Sequence, residues 1–234
     1  MWNPALRSSE LEAVFRERGF GVVDGALEAA EAERIGEEIA ASDGAFKLVA
    51  RTGVHPQRLA FDQPLAPVRL GVLEAQLAVA QQAGLLTSLH ELWEPPAGDS
   101  AIARLFAHLR SAHTLAWIEA ITSVAVDECQ VGAVTRFRRG HYVDPHSDRL
   151  VKFGKRRRIA FVLFFSGAPG NGSLVLLRRD GETEASIEPR FNRLALLDVD
   201  RVHRHCVPKV LAEDGQRLAV PGFFCAAPEA TCSA

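Results

Sequence analysis

Apolar positions along the chain recur at two different periods. Up to about residue 122 they fall three and four residues apart, the spacing that gathers side chains on one helix face. From about residue 129 they come in short runs broken by Gly, Pro and Asn, the habit of strands. In the first part, Ser8 or Ser9 can cap a helix through Arg18, Gly19-Phe20-Gly21-Val22-Val23 reads as a strand, and Asp24 can cap a helix to about Ala41. Leu70, Leu73, Leu77 and Ala80 predict one amphipathic helix and Ile102, Leu105 and Leu109 another, with Pro95-Pro96 between them. Stripes of this kind are ordinarily core, so these helices are expected to pack and to carry no chemistry.

The second part offers candidate strands at Gln130–Phe137, Arg158–Phe165, Ser173–Leu177, Ala185–Ile187, Arg193–Leu197 and Arg217–Phe224, with turns such as Gly167-Ala168-Pro169-Gly170-Asn171-Gly172 between them. Strands this short, with no helices between, predict an antiparallel sandwich or jelly roll rather than a βαβ sheet. The character of the chain changes once, near Val124 to Asp127. Residues 1–234 therefore read as a single α+β domain, with a mainly helical flank over 1–125 and a strand-rich core over 126–228.

Composition narrows the partners more than the fold. The chain has 234 residues, 47% of them hydrophobic, enough for one substantial core. Its 27 basic and 29 acidic residues nearly cancel, so no whole-protein field draws it to nucleic acid or an anionic membrane. Cys129, Cys206, Cys225 and Cys232 form no CxxC pair, which suits a reducing, cytoplasmic setting. No basic segment leads into an apolar one at the start, and no stretch is long enough to span a bilayer, so a soluble, unsecreted protein without membrane contact is expected.

The strongest local chemistry is in Gly140-His141-Tyr142-Val143-Asp144-Pro145-His146-Ser147-Asp148. On an extended strand His146 and Asp148, two residues apart, project from one face and can converge on a metal. A His–Asp hydrogen bond is the plain alternative. A further histidine downstream, in His203-Arg204-His205-Cys206-Val207, would complete a set of two imidazoles and one carboxylate, the facial triad of non-haem iron oxygenases, which leaves three coordination positions open. A 2-oxo acid chelating two of them needs a cation deep in the pocket for its far carboxylate, where Arg offers planar pairing that Lys cannot.

From about residue 129 to 226 the sequence resembles the prolyl-hydroxylase-like branch of the 2-oxoglutarate/Fe(II) oxygenases. The resemblance runs through an ordered set: Phe137, Gly140, His146 and Asp148; a basic residue opening the strand Arg158–Phe165; Asn171-Gly172 before an apolar strand; Glu188-Pro189 before another; then His205, Val207 and Arg217. It implies a double-stranded β-helix (jelly roll) core and an Fe(II)- and 2-oxoglutarate-dependent hydroxylase that uses O2 and releases succinate and CO2. It implies metal ligands at His146, Asp148 and His205, with Arg217 holding the cosubstrate beside Phe137 and Phe164. His203 competes with His205 for the distal ligand, but only His205 stands in register with Val207 and Arg217. Where relatives often carry a tyrosine near the cosubstrate, this chain has Phe164 and Phe165, and Pro221 stands where many have a hydroxyl residue.

For the substrate, the basic run Arg149, Lys152, Lys155, Arg156, Arg157 and Arg158 follows the first ligand pair and could receive an anion or form a lid; a solvated loop is the plainer reading. Arg149, Arg157 and His203 are the substrate-facing candidates. Strand alternation turns Arg136 and Arg138 away from the face of Thr135 and Phe137. A small amino acid or natural-product intermediate is the expected substrate. The alternatives are a peptide, as for protein prolyl hydroxylases, and, in another class, a cupin-like metal-binding module without oxygenase activity. Nucleic acid is not expected as a partner, because no second arginine follows Arg217 closely. The helical flank could equally serve as a homodimer interface.

Overall fold

The computed structural model describes residues 1–6, 8–52, 58–61, 67–166, 172–212 and 216–228; residues 167–171 of the predicted turn and Cys232 lie outside them. The first third of the chain alternates helices and strands: α1 (Ser8–Arg18), β1 (Phe20–Asp24), α2 (Ala29–Ala41), β2 (Lys47–Thr52), β3 (Arg58–Phe61), α3 (Pro67–Gln82) and β4 (Leu86–Trp93). Two helices follow, α4 (Ala101–Leu109) and α5 (Ala112–Thr122). Then come β5 (Glu128–Gln130), β6 (Val134–Phe137), β7 (Tyr142–His146), β8 (Val151–Lys152), β9 (Lys155–Phe164), β10 (Leu174–Leu177), β11 (Thr183–Ile187), β12 (Arg193–Asp198), β13 (Arg204–Val207) and β14 (Arg217–Ala226).

Among the described residues the strands pair antiparallel, and one continuous path runs β1-β12-β9-β14-β6-β4-β7-β13-β10-β11, a nearly closed barrel of the jelly-roll kind. The predicted strand Gln130–Phe137 is split in two, because β14 pairs with β5 at one end and with β6 at the other across the break around Gly132. Alternation sorts the long strands. On the outer face Ile159, Phe161, Leu163, Leu194, Leu196, Leu218, Val220 and Phe224 pack against α1, α2, α4 and α5, and on the inner face Ala160, Val162, Phe164, Leu174, Leu176, Ala195 and Ala219 fill the barrel.

The predicted helices pack as expected. Ile102, Leu105 and Leu109 are fully buried, and Leu77, with Leu73 and Ala80, covers Leu48, Ala50, Leu86 and Tyr142; the Leu70 side chain lies outside the described residues. Ser100 caps α4, accepting from Ala103 N at 3.2 Å, and the Glu38 carboxylate on α2 adds a bond from Ala101 N at 2.7 Å. Asp24 does not cap α2. It ends β1 and takes a two-pronged ion pair from Arg193 at 2.5 and 2.8 Å, because β1 docks on β12 with Asp24 opposite Arg193. The helical reading of residues 1–125 also missed β2, β3 and β4. β2 and β4 bury apolar residues on both faces, so their periodicity is blurred, and β4 is a member of the barrel between β6 and β7.

Candidate metal and cosubstrate site

His146 closes β7, and directly opposite it on β13 stands His205; two rungs away Val143 faces Val207. Three steps on β7 thus match two on β13. That extra residue is a bulge, and it turns His146 onto the inward face shared by Val143. Asp148 lies beyond the end of β7, so the pair meets through a bend in the chain and not through alternation along one strand. The Asp148 carboxylate comes within 3.3 Å of His205 Nε2 and 4.0 Å of His146 Nε2, and the three potential ligand atoms lie within 4.8 Å of one another.

Two of the three are oriented by a neighbour. His146 Nδ1 is 2.9 Å from Asp144 O, and donating its hydrogen there leaves the Nε2 lone pair aimed at the cluster. Arg157, reaching across from β9, donates from Nη1 to Asp148 Oδ1 at 3.2 Å while its guanidinium lies 3.5 Å over the Phe223 ring. Burial pulls the Arg157 pKa down, with the Asp148 charge opposing. Burial likewise holds His205 down to about 4, against the pull of Asp148 and aided by the charges of His146 and Arg217, so at neutral pH it is an uncharged imidazole ready to ligate.

Arg217, the first residue of β14, pairs in register with Phe137 on β6. Only 4% exposed, it lies with its guanidinium carbon 4.7 Å from the Phe137 ring and 5.2 Å from the Phe164 ring. Among the described residues no carboxylate pairs with it, and its Nε is buried without a hydrogen-bond partner. Burial alone lowers its pKa, to about 9, so the group remains a cation at neutral pH. A buried cation of this kind fits an anion supplied from outside the chain.

Residues 132–225 match the family model described as the 2OG-Fe(II) oxygenase superfamily. That stretch of the chain therefore carries a 2OG-Fe(II) oxygenase domain. A Pseudomonas putida prolyl-4-hydroxylase shares the fold with a TM-score of 0.61 at 16% identity, over 93% of this chain and 97% of that one. A Trichoplax adhaerens prolyl hydroxylase, solved with a hypoxia inducible factor peptide fragment, shares it with a TM-score of 0.58 at 14% identity, over 93% and 88% of the two chains. The epimerase SnoN from nogalamycin biosynthesis does so with a TM-score of 0.58 at 14% identity, over 96% and 84%. The matched domain is that of a 2-oxoglutarate-dependent dioxygenase family whose reagents are Fe(II), 2-oxoglutarate and O2, and the chain shares its fold with prolyl hydroxylases.

The rest of the oxygenase's basic run is engaged by its own chain. Arg149 donates to Val199 O at 3.2 Å and Asp200 O at 2.5 Å, clamping the β12–β13 connection, which gives it a structural partner where a substrate contact was expected. Arg156 pairs with Asp200 at 2.6 Å and Lys155 with Asp127 at 2.8 Å. The anticipated lid segment is the β8–β9 hairpin, turned by Phe153-Gly154 with both residues at positive φ, as a two-residue hairpin loop requires, and with Phe153 exposed at its tip. His203 sits partly exposed on the approach to β13, outside the three-residue cluster.

On the far side of β6, Arg136 pairs with Glu91 and Asp43 and stacks on Phe46, as alternation predicted. Behind that wall a cavity of about 400 Å³ is lined by Leu48, Leu77, Leu89, Glu91, Arg138 and Lys209 among others, and it shares no lining residue with the triad. Sequence reasoning missed what β4 brings to the inner side. His90 stacks on Phe137 at 5.3 Å and 11°, and Ser88 is buried beside Val143. The available signal was the short run Leu86–Trp93, bounded by Gly84 and Pro95, with Thr87 and Trp93 its strand-favouring residues.

Proposed function

We propose that the oxygenase hydroxylates an unactivated carbon of a small amino acid or natural-product intermediate. In this reading His146, Asp148 and His205 hold Fe(II), and Arg217 pairs with the far carboxylate of 2-oxoglutarate. Two imidazoles and one carboxylate are the donor set that suits non-haem iron, and bound iron supplies the activation of dioxygen. The observation that carries the reading is Arg217, a buried cation with no carboxylate partner among the described residues, on the inner face of the barrel that also holds the three converging donors.

The chain's own residues do the positioning. Phe137 and Phe164 fix the Arg217 guanidinium between them and keep water from it, in place of the hydroxyl helpers common in relatives. Arg157 orients the Asp148 carboxylate, and the Asp144 carbonyl sets the His146 tautomer. A compact substrate accords with the β2–β4 unit, which extends the sheet beside β7 and is backed by α3 on its other face. The sharing of one sheet path by β1, β4 and the strands after residue 126 supports a single domain over 1–234. A cytoplasmic setting accords with the buried free thiols of Cys129, Cys206 and Cys225, and among the described residues no helix is long and apolar enough to cross a membrane.

Anaerobic addition of Fe(II) and 2-oxoglutarate tests the reading. A weak visible metal-to-ligand charge-transfer band is expected in the native protein and is lost in His146→Ala and in Arg217→Ala. No band in the native protein would sink the proposal. Succinate release is then screened against amino acids, biosynthetic intermediates and peptides, and turnover with peptides alone would move the substrate to the peptide class.

A further inference from the structure

Cross-strand registers line up four residues from four strands in a single row. Arg51 on β2 stands opposite Ser88 on β4, Ser88 opposite Val143 on β7, and Val143 opposite Val207 on β13. Directly opposed residues share a face of the sheet. Val143 and Val207 pack with Phe137 and Val210, next to Arg217, so this is the face that carries the cosubstrate pocket. The alternate residues Leu48, Ala50, Leu89 and Tyr142 pack together on the other face under α3. The row therefore runs beside the His146–His205 rung and ends on Arg51.

Two features of this row are unsatisfied. Arg51 is exposed and has no carboxylate partner among the described residues, unlike Lys155, Arg156 and Arg157. Ser88, 2% exposed, has a buried hydroxyl with no hydrogen-bond partner among the described residues. An exposed cation opposite a partnerless hydroxyl, on the face of the sheet that carries the cosubstrate pocket, suits a carboxylate placed between them.

We infer that Arg51 anchors a carboxylate of the substrate, which makes the substrate a small carboxylic acid. The inference rests on the reading of this site as an oxygenase centre for a small molecule. A carboxylate on Arg51 takes a charge-assisted, two-pronged pairing and gives the Ser88 hydroxyl an acceptor.

The test uses isobutyrate and its uncharged twin isobutyramide as probes, with Mn(II) in place of iron and saturating 2-oxoglutarate to keep the probe off Arg217. Paramagnetic broadening of the probe's methyl proton line reports binding close to the triad. The native protein is expected to broaden isobutyrate about tenfold more than isobutyramide, the factor that corresponds to about 1.4 kcal/mol. Arg51→Gln brings that ratio to near one, and Arg51→Lys restores part of it. Equal broadening of both probes by the native protein, or a native-like ratio in Arg51→Gln, overturns the assignment. The anaerobic Fe(II) and 2-oxoglutarate band, measured on the same samples, separates the two readings. No band in the native protein means that the oxygenase centre itself is misread, whereas a normal band with equal broadening removes Arg51 alone.

Discussion

Arg136 on β6 and Arg217 on β14 are buried to the same degree, each 4% exposed, on strands that pair with each other, yet they sit in opposite electrostatic situations. Arg136 looks outward from the barrel into Glu91, Asp43 and the Phe46 ring, all supplied by the chain. Arg217 lies between two aromatic rings with no carboxylate beside it among the described residues. A buried charge with its partner in the same chain is part of the fold, and one without it is completed by a ligand. Residue type and burial do not distinguish the two; the company each keeps does.

The comparison is broken most directly at Arg136. Arg136→Met leaves Glu91 buried with only the half-exposed Arg138 beside it, and is expected to cost about 3 kcal/mol of stability in urea denaturation, the usual penalty for orphaning one member of a buried pair. Arg217→Met should act in the other direction on the metal-free protein, leaving stability unchanged or raising it by about 1 kcal/mol, since it removes an uncompensated buried charge. The same substitution should abolish stabilisation by 2-oxoglutarate in the metal-loaded protein, worth about 2.7 kcal/mol to the native chain at a hundred times its Kd. Equal losses in the two variants by thermal melting would erase the distinction.

A smaller effect links the two sides through pH. The His205 pKa is held near 4 in the folded chain, against 6.5 for an ordinary imidazole, so between those values the unfolded chain takes up a proton that the native one refuses. The stability tied to neutral His205 is complete above about pH 6.5 and falls as the pH drops toward 4, by up to about 1.4 kcal/mol per pH unit. His205→Gln should flatten that part of the acid limb. Burial is the main cause and the Arg217 charge a lesser one, so Arg217→Met should shallow the slope slightly while Arg136→Met leaves it unchanged. An acid limb unaltered in His205→Gln would show that the proton uptake belongs elsewhere.

The helices around Leu105 and Leu77 and the strands from Arg158 to Phe224 were legible because each buries one continuous face or lies in a run of strand formers. β4 was not, since it is packed on both sides and holds few strand-favouring residues beyond Thr87 and Trp93. Asp24 had the composition of a helix cap, but its strand docks on β12 and the Arg193 opposite claims its carboxylate. In the basic run, the excess of charge was visible but its distribution was not. Asp127, Asp148 and Asp200 come from three separate places in the chain to neutralise it.

By itself the sequence pointed to the jelly-roll class through strand periodicity, and its resemblance to a known family picked out His146, Asp148, His205 and Arg217 through their order and spacing. Only the tertiary structure decided which arginines are occupied and which await a ligand. That depends on cross-strand registers and on the β7 bulge that turns His146 inward, and both are set by pairing between residues far apart in sequence.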